Sequence, residues 1–147
     1  MKKKKYALIA VLIGIVIMFS VGQITKREEI PEGVAAVIAE AEGVSANMEY
    51  VIHGRSAEEI DLAIAGTLNY FNRLMLYADV VQVDGLDKEE TDAMTAFLPT
   101  LQQKYNSVQH IFERYDQKGQ MTEEEREFLE SVKDAFDSFL SAMPQRA

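Results

Sequence analysis

The chain is 147 residues long, carries a formal net charge of −9 and contains no cysteine. That length suits one domain, and the missing cysteines exclude disulfide staples and thiol chemistry. The acidic balance argues against nucleic acid as a partner, because a like-charged surface repels the phosphate backbone.

The first element is apolar. Lys2, Lys3, Lys4 and Lys5 precede residues 6–25, a stretch that opens at Tyr6, ends at Thr25 and holds no charged side chain. Crossing a bilayer takes about 20 mostly apolar residues in a helix, so this run predicts a single transmembrane anchor. The four lysines outnumber Lys26 and Arg27 on the other side, which places the N-terminus in the cytoplasm and the remainder outside. The expected division is a basic stub at 1–5, the membrane anchor at 6–25, a linker at 26–31 and an extracytoplasmic domain at 32–147. A competing expectation is cleavage and secretion, since Ser20, Val21 and Gly22 put small residues where a signal peptidase cuts.

All acidic residues lie from Glu28 onward. The six cations ahead of Glu28 account for about +6, which leaves about −15 for the rest of the chain. Beyond Pro31 apolar residues recur at steps of three and four, and no useful strand-like alternation occurs. The fold class is therefore all-α: one N-terminal transmembrane helix followed by an antiparallel four-helix bundle.

The first bundle helix presents Val34, Val37, Ala41, Val44, Met48 and Val51 and ends near Gly54. Ser56 and Glu59 form a capping box for the second, whose stripe runs Ile60, Ile64, Thr67, Phe71, Leu74, Ala78 and Val81 until Asp84 and Gly85 stop it. Asp87 and Glu90 open the third, with Met94, Phe97, Leu101, Tyr105, Val108, Ile111, Phe112 and Tyr115 inward. Pro99 lies inside that helix and predicts a kink, because proline donates no backbone hydrogen bond. Gly119 ends it. Thr122 and Glu125 cap the fourth, which offers Phe128, Leu129, Val132, Phe136, Phe139 and Met143 before Pro144 closes the fold. Short connections between helices of similar length favour up-down-up-down topology.

Candidate chemistry is sparse. His53 lies four residues after Glu49, and His110 three before Glu113, but both histidines point away from their own apolar stripes, so no metal centre and no cofactor are expected. The segment 115–125 resembles the second half of an EF-hand loop, with Gly119, Met121 and Glu125 at that family's turn glycine, central apolar residue and bidentate glutamate. Arg114 and Lys118 fall on two of its ligand positions, which implies a capped helix-loop-helix turn instead. No phosphate-binding glycine loop and no nucleophile with a base partner is present, so the chain is not expected to be an enzyme.

The second helix is the most informative element. Leu62, Leu76, Val80 and Val83 lie opposite its Ile60–Phe71–Ala78 stripe, so its C-terminal half is apolar nearly all round. It is also expected to outrun the first helix by about six residues, ~9 Å at 1.5 Å per residue, toward the membrane. Leu76, Val80 and Val83, flanked by Tyr70, Arg73 and Tyr77, form the candidate partner-binding set. The function this predicts is a membrane-tethered interaction module that binds a protein partner or itself. The alternative is a small-ligand or cation-binding sensor, with a pocket at the Pro99 kink lined by Phe71, Phe97 and Leu101.

Overall fold

A computed structural model describes residues 30–144 of the chain; the apolar run at 6–25 and most of the linker lie outside them. The described part is all-helical, with no strand. It forms four helical rods: α1 (Glu32–His53), α2 (Ala57–Ala78), a broken third rod made of α3 (Lys88–Phe97) and α4 (Leu101–Lys118), and α5 (Glu123–Ala142). No described helix is long and apolar enough to cross a membrane.

Three of the starts follow the caps written in the sequence. Asp87 Oδ1 accepts from the Glu90 amide and Glu90 Oε2 accepts from the Asp87 amide, at 2.8 and 2.9 Å. Thr122 and Glu125 make the same reciprocal pair. At α2 only half of the box forms: Ser56 Oγ accepts from the Glu59 amide, but Glu59 reaches one residue further back to the Arg55 amide. Each of these satisfies amides that a helix leaves without intrahelical partners. At the other kind of terminus, Gly119 takes the left-handed conformation (φ 72°) and donates its amide to the Tyr115 carbonyl, ending α4.

α1 sits at the centre of the assembly, packed on α2 along one side and α5 along another. Its buried face is correspondingly broad: Val34, Val37, Ile38, Ala41, Val44 and Met48 are all nearly or fully sequestered. Small residues permit the close approach. At Gly43 the Tyr70 ring of α2 occupies the space a β-carbon would need, with a ring carbon 2.2 Å from that position.

Pro99 breaks the third rod as its chemistry requires. Leu98–Thr100 forms a single 3-10 turn, with Thr100 Oγ1 donating to the Phe97 carbonyl at 2.7 Å. The core beside this turn is aromatic. Phe136 meets Phe71 and Phe97 edge-on at 5.3 and 5.0 Å, and Phe97 stacks on Phe139 at 4.2 Å. Phe71, Phe97 and Leu101 are all buried. Beside the turn a cleft of about 380 Å³ lies between the third rod and α5, lined by Phe97, Thr100 and Phe139; Phe71 and Leu101 are not part of its lining.

Two expectations about helices need correction. α2 ends at Ala78, not near Asp84, and is 22 residues long, the same as α1, so the expected overhang does not exist. The apolar periodicity continues past the helix because Val80, Val81 and Val83 are apolar, yet their branched β-carbons disfavour helix and the chain turns at Asp79. Phe128, expected inside, is 38% exposed and lines a groove between α4 and α5.

Both ends of the bundle are defined by cross-chain neighbours. At one end Gly33 lies against Val81, and Gly85 (φ 88°) lies near Pro31, so the α2–α3 loop sits beside the start of α1. At the other end Arg126, at the start of α5, donates to the Ile52 carbonyl at the end of α1. Neighbouring rods therefore run antiparallel.

Candidate interaction surface

The six residues singled out on α2 separate into two groups. Tyr70 and Arg73 are engaged inside the molecule. The Tyr70 ring covers Gly43, the Arg73 guanidinium lies 4.7 Å from the Tyr70 ring centre, and Arg73 Nε donates to Glu40 Oε2 of α1 at 2.9 Å. The hydrogen bond that Arg73 donates to Glu40 holds the Arg73 pKa above its ordinary value. These two side chains seal the α1–α2 seam. Val83 is likewise half-buried and packs on the core.

Leu76, Tyr77 and Val80 form the second group. Leu76 is 70% and Val80 74% exposed, while Tyr77 is more than a third exposed. Leu62, four turns earlier on the same outer side of α2, is 69% exposed. Leu76 and Val80 therefore present apolar surface that the bundle does not cover. They lie at the end where the chain enters α1, because Val81 is the neighbour of Gly33.

A polar tie stands on the opposite side of α1. Ser45 hydrogen-bonds to Asp137 Oδ1 of α5, and Lys133 bridges Asp137 Oδ2 at 2.7 Å and Glu49 Oε2 at 3.4 Å. Burial pushes the Asp137 carboxyl up, but the hydrogen bonds from Lys133 and Ser45 outweigh it and the net shift is downward. The bond to Asp137 raises the Lys133 pKa against the opposing effect of burial.

Among the described residues no group of three or more His, Asp or Glu side chains is arranged to hold a metal ion. His53 is exposed, 3.8 Å from Glu49, and His110 is exposed on α4. Glu125 is the buried carboxylate among the described residues, and it meets Arg114 at 3.0 Å. In the segment that resembles an EF-hand, the glutamate is thus committed to an arginine and to the Thr122 amide. No family model, curated protein or solved structure matches this chain.

Proposed function

We propose that this protein is a membrane-tethered, extracytoplasmic helical interaction module, held by residues 6–25, which docks a protein partner or a second copy of itself beside the membrane. The observation that carries the reading is the uncovered pair Leu76 and Val80, at the end of the bundle from which the chain runs toward its apolar N-terminal stretch. Exposed apolar side chains at one end of a small domain favour association, because burying them removes apolar area from water. A short linker between anchor and bundle would keep that surface close to the bilayer and concentrate it against other membrane proteins.

The test is crosslinking of the full-length chain in its native membrane, followed by mass spectrometry, for the wild type and for the Leu76→Asp, Val80→Asp double variant. Loss of the crosslinked species with unchanged helicity supports the proposal. The same crosslinked species at the same yield in the double variant would sink it.

A further inference from the structure

We infer that the cleft between α2 and α4 is a second binding site, which takes a basic, partly apolar peptide segment. The inference stands apart from the Leu76 surface, since it concerns the other half of α2. The cleft has a volume of about 530 Å³. Its floor is Phe112, and its walls are Ile64, Ala65 and Leu68. Phe112 is buried, Ile64 and Leu68 are half-buried, and Ala65 is exposed, so the apolar lining is reachable from solvent.

α2 and α4 pack far less closely than α1 and α2 do, which leaves room for the cleft. α2 and α4 meet where Phe71 touches the Tyr105 ring edge-on at 5.4 Å. Toward the end of α4 the cleft is lined by Phe112 and Tyr115. Between Asp61 and Leu68 the cleft runs seven residues, about 10 Å along the helix axis at 1.5 Å per residue.

Charge selects the occupant. Asp61 lines the cleft from α2, while Glu113 and Asp116 line it from α4, and no lysine or arginine does. None of the three carboxylates has an ion pair or a side-chain hydrogen bond among the described residues. The nearby cation on α4, Arg114, is turned to Glu125 instead. An apolar floor between carboxylates on both rims fits an apolar side chain flanked by lysine or arginine, and it opposes an acidic segment. Three extended residues span about 10 Å, which matches the cleft.

The probe is acetyl-Lys-Phe-Lys-amide, titrated into the isotope-labelled full chain in neutral detergent micelles and followed by amide chemical shifts. Saturable shifts confined to residues 61–68 and 109–116 are expected. The Asp61→Asn, Glu113→Gln, Asp116→Asn triple variant should bind about tenfold more weakly, as the loss of two partly screened lysine–carboxylate pairs implies. Neutralising Glu124, Glu127 and Glu130 on α5 should leave binding unchanged. Ala65→Lys, which sets a cation in the cleft wall, should abolish it and covers the case in which the triple variant does not fold. Shifts spread over the whole acidic surface, equal weakening by both neutralised sets, or equal binding of acetyl-Glu-Phe-Glu-amide would overturn the inference.

Discussion

Gly43→Ala separates two opposing effects at the α1–α2 seam. Alanine in place of glycine in a helix interior is worth about 1 kcal/mol in favour of the helix. At this position the new methyl would lie 2.2 Å from Tyr70 Cδ1 and 2.5 Å from Cγ and Cε1. Ordinary carbon contacts need about 3.5 Å, so the ring must retreat by roughly 1 Å. Cγ is the ring's attachment point, so no swing of the far end of the side chain clears it. Either the helices part or Tyr70 leaves its rotamer and its stacking with Arg73. Overpacking of this kind costs about 1–3 kcal/mol, which exceeds the propensity gain. The expected net effect is about 1 kcal/mol of destabilisation, a fall in Tm of roughly 4 °C for a domain of this size, read by circular dichroism. In a Tyr70→Ala background the sign should reverse, because the obstruction is gone and only the propensity gain remains. Stabilisation by Gly43→Ala in the wild type would refute the close-packing argument.

Four further outcomes follow from the core, a cap and the polar tie. Phe136→Ala removes the ring that joins Phe71 to Phe97 and should cost about 3–5 kcal/mol, the range for deleting a fully buried phenylalanine, measured by urea denaturation. Gly119→Ala forces a β-carbon into the left-handed region and should destabilise by about 1 kcal/mol, whereas Gly119→Asn should lose less. For Asp137 the folded pKa lies below the unfolded one, so its contribution is present above the ordinary carboxylate value of about 3.9 and is lost as pH falls through the folded value. The Tm difference between wild type and Asp137→Asn should therefore shrink in acid. The Lys133 pKa is raised, so its contribution is full below about 10.4 and is lost as pH rises through the folded value; Lys133→Met should track the wild type only in strong alkali.

Local features proved the most legible. Ser56, Asp87 and Thr122 mark helix starts because a cap involves residues within three positions of each other, and Pro99 marks a break because it acts on its own backbone. Termination of α2 was harder to read, since apolar periodicity runs through Val80, Val81 and Val83 although the helix does not. The candidate surface was half legible. A helical wheel shows that Leu76 has no partner on its own helix, but Tyr70 is claimed by Gly43 and Arg73 by Glu40, pairings made across α1 that no pattern within α2 reports. The cleft between α2 and α4 is lined by residues of both helices and leaves no mark in either helix alone.

The central place of α1 also sets an order of assembly. Its partner α2 follows after a tight turn, so the α1–α2 hairpin closes over a short loop, and such contacts form early. Its other partner, α5, is reached only across a long separation: Ser45 and Asp137 are 92 residues apart in sequence. During synthesis the hairpin can be complete while α5 is still unmade, leaving the α1 side of Ser45, Glu49 and Ile52 without its α5 partners until that helix arrives. The C-terminal helix is thus the clasp of the domain, and truncation before Phe136 should release a hairpin that persists as helix but no longer unfolds cooperatively.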